Sequence, residues 1–366
     1  MPILRTVAKT LGLYESMLSV HNKIVAQKQC FATRFLLPLL THSSLARRVH
    51  YGLFSSAFQS RMKLFAQSRL DYLRRQQNST NATLLRRNIH RIEKGLMMEN
   101  RKEVFALDYI AQTAELFSTL CYSGSKAQLS DLLVWSFDVL NEYFSVVVAS
   151  VPEVERAQSI FRSAGFERPV NAASCVPFKF RPLPDYRPMT EAFRQLAEHR
   201  KSVRWFDKDR RPSREQIDNA IRTAILSPSS CNRQAFEFHV FDKPQTVNKL
   251  MQTVPGAGGF RTDVPVAILV VADSAVSPSP SDHAVMYIDA SLAAMTLIFA
   301  LQSEGICSCA LNWPDTPKLD AVARQLAGFN STSRPVMLIA AGYPKEETMV
   351  ACSCRKSLDE IREYID

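Results

Sequence analysis

The chain has 366 residues, of which 46% are hydrophobic and 22% charged, so it has ordinary globular composition and enough length for two domains. Its eight cysteines are too sparse for a disulfide scaffold, and reduced thiols are expected. No run reaches the ~18–20 uncharged apolar residues that a bilayer span requires, and no secretory signal is visible. These features predict a soluble cytoplasmic protein.

The net charge of +10 is concentrated near the N-terminus. Residues 1–92 contain fifteen Lys or Arg but only two acids, Glu15 and Asp71, which gives +13 and leaves −3 for the remainder. Apolar and basic residues between 11 and 28 suit a weakly amphipathic helix. A solvated helical face is the favoured interpretation, but peripheral contact with a membrane or an acidic partner and an organelle-targeting peptide stay open. No nucleic-acid partner is predicted.

The N-terminal half has helical periodicity. Leu85, Ile89, Ile92 and Leu96 recur at spacings of four, three and four, and Asn81 is placed to cap this helix. Further helices are expected over 104–120 and 129–148. His90 and Glu93 share a helix face, which favours a surface ion pair over a metal site.

A proline-rich stretch separates the two halves. It contains five prolines and no helical periodicity, which indicates an extended linker. We therefore predict a helical extension over 1–168, a linker over 169–189 and a second domain over 190–366.

The C-terminal half alternates between helices and strands. Helices are predicted over 213–226, 246–253, 287–303, 318–327 and 357–364, and strands over 236–241, 266–272, 308–311 and 336–341. The strand 266–272 is apolar at every position and should be buried on both faces. This pattern predicts an α+β fold with a mixed central sheet flanked by helices.

Four short motifs in this half have side chains that can bind a ligand. Three cations and a hydroxyl near residue 200 suit a phosphate, and in an extended segment residues 200, 202 and 204 project to one side. The stretch SPSSCNRQ offers hydroxyls and amides for a polyhydroxylated ligand, although such groups also stabilise turns. Gly305 permits close backbone approach but equally suits a helix end. The four motifs are Arg200-Lys201-Ser202-Val203-Arg204, Pro228-Ser229-Ser230-Cys231-Asn232-Arg233-Gln234, Glu304-Gly305 and Arg355-Lys356.

In their order and spacing, these motifs resemble the FMN-dependent nitroreductase family over residues 190–366. The resemblance implies FMN as cofactor, NAD(P)H as reductant and two flavin sites across a homodimer interface. It also implies a ping-pong reaction in which an electron-poor acceptor is reduced. The flavin supplies the redox chemistry. No catalytic side chain and no metal site are predicted.

The resemblance also implies a role for each motif. Arg200, Lys201 and Ser202 would hold the FMN phosphate, Arg355 and Lys356 would complete that site, and Arg204 would lie near N1 and O2 of the flavin ring. Glu304 and Gly305 would face the N5 edge of the ring. Ribityl and ring contacts from the partner subunit would come from Pro228, Ser229, Ser230 and Asn232. Gln234 is predicted to give local support, and Arg261 is a candidate for the pyrimidine edge of the ring.

The stretch HRIEKGL, residues 90–96, resembles the helical extension of nitroreductase-like proteins associated with exopolysaccharide biosynthesis. Two alternatives stay open. The protein could bind FMN but perform flavin chemistry other than nitroreductase chemistry, or it could be a non-catalytic accessory protein of polysaccharide assembly.

Overall fold

The computed structural model describes residues 36–78, 80–123, 129–148, 151–277 and 279–365. The predicted amphipathic segment 11–28 lies outside these residues. The chain divides into two compact units, Met1–Leu64 and Phe65–Asp366. In the first unit, helices α1 (Leu37–His42) and α2 (Ser44–Val49) are followed by a π-helical turn and the first residues of helix α3 (Ser56–Gln76).

The second unit begins with a bundle of helices that have a core of their own. Asn81 caps the first of them, because its side-chain oxygen accepts the Leu84 N–H at 2.9 Å, as the sequence predicted. Fully buried apolar side chains such as Leu85, Phe117 and Leu140 fill the space between the helices. The bundle comprises α4 (Ala82–Leu96), α5 (Ile110–Tyr122), α6 (Ser130–Val146) and α7 (Pro152–Ser163).

The HRIEKGL stretch lies in α4 and makes packing contacts. His90 Nδ1 pairs with Glu93 at 3.3 Å, which confirms the predicted ion pair, and the other Glu93 oxygen accepts the Trp135 indole N–H at 2.8 Å. A Cβ at Gly95 would lie 2.2 Å from the Phe105 ring. Only glycine therefore fits against that ring, and the motif has a structural role within the bundle.

The proline-rich segment is anchored at its start. Arg168 makes a bidentate ion pair with Asp138 of α6 at 2.6 and 2.9 Å, and the same carboxylate accepts the Cys175 N–H at 2.9 Å. Residues 169–186 contain no helix or strand, as expected for a linker. Helix α8 (Arg187–His199), which the sequence analysis did not predict, begins inside the predicted linker 169–189.

The remaining chain forms a four-stranded sheet with helices on both faces. The strands are ordered β1-β2-β4-β3 and every neighbouring pair is antiparallel. The strands are β1 (Phe236–Phe241), β2 (Val266–Asp273), β3 (Cys307–Asn312) and β4 (Ser333–Gly342), and the helices are α9 (Arg214–Ala224), α10 (Pro244–Thr253), α11 (Val285–Ser303), α12 (Pro317–Ala327) and α13 (Leu358–Ile361).

Strand β2 is the centre of this domain, as its unbroken apolar sequence predicted. Ala267, Leu269 and Val271 face the core shared with α10 and α12. Val266, Ile268 and Val270 face the core shared with α9 and α11. The α+β fold is thus confirmed. The parallel pairing expected in a mixed sheet is confined, among the described residues, to a bridge between Ser202 and Ser308.

Helix α11 is both long and apolar. Val285–Ser303 would be long enough and apolar enough to cross a membrane, but half of its most apolar window is buried inside the protein. Because its buried residues pack on β2 and β4, core packing explains its composition.

Candidate functional site

The segment that holds Arg200, Ser202 and Arg204 is extended and fixed at both ends. At its start, the Val203 N–H donates to the Ser308 carbonyl of β3 at 3.1 Å. At its end, the Asp207 N–H donates to the Tyr343 carbonyl at 2.9 Å, just beyond β4. Val203 and Phe206 are buried in the core below. The segment therefore lies along the edge of the sheet, beside β3.

Both arginines of this segment lie close enough to β3 to act on one of its thiols, whereas the prediction that residues 200, 202 and 204 project to one side stays a prediction. The charges of Arg204 and Arg200 both act on the buried Cys309 thiol, whose pKa is nonetheless raised, because burial outweighs them. No hydrogen bond or ion pair involves the side chains of Arg200, Lys201 or Ser202 in the part of the chain that the structure describes. Guanidinium forks and a hydroxyl that have no protein partner are suited to an anion.

The Glu304–Gly305 turn leads directly into β3. Gly305 has φ +75°, and the Ile306 N–H reaches back to the Leu301 carbonyl at 2.8 Å, so this turn is a Schellman motif that ends α11. No atom lies within 4 Å of the position that a Cβ on Gly305 would occupy. The turn is thus explained by helix termination. It leaves space beside Gly305, although the N–H groups of Glu304 and Gly305 already donate to carbonyls of α11.

The loop after α9 is fixed to α11 at two points, at the middle of the helix and near its N-terminal end. Ser227 Oγ donates to Thr296 Oγ1 at 2.7 Å, and the Ser230 N–H donates to both oxygens of Asp289 at 3.1 Å. Asp289 is buried, which raises its pKa, while the Ser230 N–H and the charge of Arg233 act in the opposite direction. Neither Asp289 nor Arg233 had been identified from the sequence as a residue that shapes this loop.

The loop has an unusual backbone for a segment without glycine. Cys231, Asn232 and Gln234 all have φ near +50°. Asn tolerates this left-handed region, whereas Cys and Gln adopt it at a cost. Two hydrogen bonds support the turn: Ser229 Oγ accepts the Gln234 N–H at 3.1 Å, and Asn232 Oδ1 accepts Gln234 Nε2 at 2.9 Å. Gln234 therefore gives the local support that was predicted.

These two bonds leave some hydrogen-bond donors of the loop unused. Ser229 and Asn232 serve as acceptors, so the Ser229 hydroxyl proton and the Asn232 amide protons are not used in these two bonds. The loop faces a groove that it shares with α11, lined by Pro228, Ser229, Ser230, Val285, Ile288 and Leu292. Donors beside an apolar groove suit a ligand that is flat at one end and hydroxylated at the other.

Within one chain, the loop and the glycine turn lie far apart. Ser230 is held at Asp289, whereas Glu304 follows the last residue of the same helix. Fifteen residues of helix separate Asp289 from Glu304, which corresponds to about 22 Å at 1.5 Å per residue. The structure therefore brings Arg200, Ser202, Arg204 and Gly305 together beside β3. The Ser230 loop of the same chain lies away from this group, towards the other end of α11.

The C-terminal basic pair is separate from both groups. Arg355 and Lys356 are exposed, and Arg355 Nη1 donates to the nearby Ser353 carbonyl. No hydrogen bond or ion pair joins either residue to Arg200, Ser202 or Arg204 within the described ranges. The predicted part of this pair in the phosphate site stays a prediction.

The glycine-rich loop lies beside the extended segment. A Cβ at Gly259 would lie 3.7 Å from the Trp205 ring, and Lys208 pairs with Asp263 at 2.8 Å. The loop is partly packed, because Ala257 and Phe260 are buried. Arg261 thus belongs to a loop that adjoins Trp205, the residue that follows Arg204 in the chain.

Comparison with known proteins identifies the second domain. Residues 197–343 match the pattern of the Nitroreductase family. A protein of Archaeoglobus fulgidus, provisionally named NADH dehydrogenase/NAD(P)H nitroreductase, is 30% identical over 149 residues, which cover 40% of this chain and 83% of that protein. Iodotyrosine deiodinase 1 of Pongo abelii is 28% identical over 217 residues, which cover 51% of this chain and 73% of that protein.

Among solved structures, the FMN-dependent nitroreductase of Clostridium difficile R20291 matches with a TM-score of 0.40 and 23% identity, covering 47% of this chain and 98% of that one. The family pattern spans the extended segment, the loop, the glycine turn and all four strands. With the Archaeoglobus protein matched over most of its length, the chain belongs to the nitroreductase family and is an oxidoreductase of the flavin-dependent kind.

Proposed function

We propose that the protein binds FMN and uses NAD(P)H to reduce an electron-poor organic acceptor. One observation carries this proposal: Arg200, Ser202 and Arg204 lie beside β3, on an edge that the Glu304–Gly305 turn also enters. Such an arrangement offers cations for a phosphate and, beside Gly305, space for a ring.

The residues beside β3 fit FMN by their chemistry. Arg200 and Ser202 would hold the phosphate, with Lys201 beside them and Arg355 and Lys356 completing the site from the C-terminal segment. Arg204 would place its charge near N1 and O2, where it favours the reduced, anionic ring. The Glu304–Gly305 turn would face N5, where the space beside Gly305 admits the ring. Bound FMN would supply the redox chemistry, taking electrons from NAD(P)H in one half-reaction and giving them to the acceptor in the other.

The distance between the two halves of the site supports a homodimer. A ribityl chain that joins a phosphate at Ser202 to a ring at Gly305 stays near one end of β3. The Ser230 loop of the same chain lies about 22 Å from that turn along α11. Pro228, Ser229, Ser230 and Asn232 would therefore contact the FMN that is held by the partner subunit.

Exposed apolar side chains support the same assembly. Ile288 is 56% exposed and Met295 39% exposed on α11, and Phe193 is 58% exposed on α8. None of the residues of α8 is buried, although the helix has an apolar face. Contiguous apolar surface of this kind is typical of an interface.

The acceptor is proposed only as a class. Reduction of a nitro compound or a quinone is the first candidate. The match to iodotyrosine deiodinase 1 extends over 51% of the chain and favours reductive removal of halogen from an aromatic ring as a second. Assays with a nitroaromatic, a quinone and an iodinated phenol, each with the same reduced enzyme, separate these candidates.

Three further proposals rest on the sequence. A link to exopolysaccharide biosynthesis rests on the HRIEKGL stretch, and a cytoplasmic location rests on composition. Contact of the basic N-terminal segment with a membrane or an acidic partner rests on its charge of +13 over residues 1–92. Fractionation of cells that produce the full chain tests the second and third proposals together.

Titration of apoprotein with FMN tests the site. We expect the Arg200→Ala, Ser202→Ala double variant to bind FMN at least ~10-fold more weakly, because each charge-assisted hydrogen bond contributes about 1.5–3 kcal/mol. Arg211→Ala is the matched control, since Arg211 donates to the Asp242 carbonyl, away from β3. Unchanged FMN affinity in the double variant would show that the phosphate lies elsewhere.

A further inference from the structure

A second cluster of arginines surrounds a small cavity between the N-terminal helices and the Ser230 loop. The cavity is lined by Tyr72, Arg75 and Gln76 of α3, by Arg87 of α4 and by Arg233 of the loop. About 20 Å³ of it is open to the centre of a water-sized sphere, which leaves room for a small ion.

Two of the three arginines have unused donors. Arg233 is only 6% exposed, and its Nε and Nη1 have no hydrogen-bond partner. Its Nη2 reaches only the Cys231 sulfur, at 3.9 Å. Buried Nε of Arg87 also has no partner, and its Nη1 donates weakly to the Tyr72 hydroxyl at 3.4 Å.

Carboxylates near the cavity do not compensate these two charges directly. Asp71 and Asp273 both pair with Arg75, so these three groups together carry a charge of −1, and neither carboxylate pairs with Arg87 or Arg233. Asp289 lies near enough to Arg233 for the arginine charge to act on the pKa of Asp289. Both carboxylate oxygens of Asp289, however, accept the Ser230 N–H and form no ion pair with Arg233. Among the described residues, neither Arg87 nor Arg233 forms an ion pair. A buried, unpaired charge is costly, and an anion between the two would remove that cost.

The surrounding groups favour an oxyanion. Guanidinium groups present planar forks of N–H donors, which match the oxygens of phosphate-like and carboxylate anions. Helix α4 begins beside the cavity, and the positive end of its dipole adds to the attraction. The Asn81 side chain is not available, because it caps α4 and donates to the Arg75 carbonyl at 2.8 Å.

We propose that this cavity binds a small oxyanion between Arg87 of α4 and Arg233 of the Ser230 loop. The anion joins the helical bundle to the loop through two charges that the protein itself leaves unpaired. The site is separate from the residues beside β3 and does not depend on the proposed flavin chemistry.

Thermal unfolding of the full chain, loaded with FMN, tests the site with inorganic phosphate as the probe. FMN loading keeps the phosphate from the residues assigned to the flavin, and chloride at equal ionic strength controls for screening. We expect a saturable rise of about 2–4 °C in the unfolding midpoint with phosphate and none with chloride. No rise with phosphate would overturn the proposal.

Variants locate the effect. Arg87→Met and Arg233→Met should abolish the phosphate-dependent rise. Without phosphate, Arg233→Met should be at least as stable as the parent, because the unpaired charge that it removes is buried, whereas Arg87 is only half-buried. Arg91→Met is the matched control on the same helix, since Arg91 pairs with Asp108 and stacks on Tyr109; it should retain the rise. A full rise in both Met variants would place phosphate elsewhere and overturn the proposal.

The result does not depend on the flavin site. The Arg200→Ala, Ser202→Ala variant should retain the phosphate-dependent rise even where its FMN affinity is lost. If the chain takes up no FMN at all, the comparison of parent, Arg87→Met and Arg233→Met in phosphate still decides whether this cavity binds the anion.

Discussion

The carboxylate of Asp289, buried on α11, accepts the backbone N–H of Ser230 with both of its oxygens at 3.1 Å. This contact fixes the loop whose backbone at Cys231, Asn232 and Gln234 has positive φ. It also fixes where the loop lies along α11, about 22 Å from the turn at Glu304. The proposed division of the flavin site between two subunits depends on that position.

The first prediction concerns this contact. Asp289→Ala removes the acceptor and leaves the Ser230 N–H without a partner, which should lower the free energy of unfolding by about 1–3 kcal/mol. Asp289→Asn keeps an acceptor oxygen and should lower it by less than ~1 kcal/mol. Urea denaturation at neutral pH measures both. Equal losses in the two variants would mean that the hydrogen bond does not hold the loop.

The second prediction concerns the anchor of the proline-rich segment. Burial raises the pKa of Asp138, but the hydrogen bonds from Arg168 and the Cys175 N–H, with the charge of Arg168, bring it below its ordinary 3.8. A carboxylate with a lowered pKa stabilises the fold above its unfolded-state pKa, and this contribution is lost as the pH falls through the folded-state pKa. The stability that depends on Asp138 should therefore disappear only below about pH 4.

Asp138→Asn supplies the comparison. Between roughly pH 5 and 7 the variant should be less stable than the parent by about 2 kcal/mol, and the difference should shrink as the pH falls below 4. Asp185→Asn is the control, since Asp185 pairs with Arg187 on an exposed surface and should show no measurable change. A difference that grows at acid pH would contradict the sign of the shift.

The third prediction concerns the proposed dimer. Met295 lies on the exposed face of α11 and is not among the residues that line the groove beside the loop. Met295→Arg should convert the dimer to a monomer and weaken FMN binding with it, because the loop of the partner would be lost. Light scattering and FMN titration measure the two effects. Val170→Arg is the control, as Val170 is 96% exposed in the linker.

A monomeric Met295→Arg variant with full FMN affinity would contradict the division of the site between subunits. A parent protein that is monomeric at micromolar concentration and still binds FMN would contradict it in the same way.

Much of the fold follows from sequence periodicity. The strand Phe236–Phe241 has the predicted bounds, and the other three strands were predicted to within three residues at each end. Alternation of apolar and polar residues explains this success for β1, and an unbroken apolar run explains it for β2. Helix α8 was not predicted, because the four prolines before it dominate the local pattern, although its own Pro188 is compatible with a first helical turn. Helix α13 is shorter than the predicted 357–364.

The site was predicted less completely than the fold. The extended segment from Arg200 to Arg204 and the Schellman turn at Gly305 follow from local sequence. Asp289 and Arg233 could not have been found in this way, because their roles depend on contacts between residues far apart or on burial beneath another element. The distance between the Ser230 loop and the Glu304 turn is likewise a property of α11 as a whole. A buried acid in a helix that is otherwise apolar was the one available signal for Asp289.

The visible absorbance spectrum of the purified full chain tests the proposed function most directly. It is recorded without oxygen, first as isolated or after incubation with FMN, then after NAD(P)H, then after an electron-poor acceptor. We expect flavin absorbance that NAD(P)H bleaches and the acceptor restores. A protein that stays colourless after incubation with FMN would contradict the proposal, and a yellow protein that NAD(P)H does not bleach would contradict the assigned reductant.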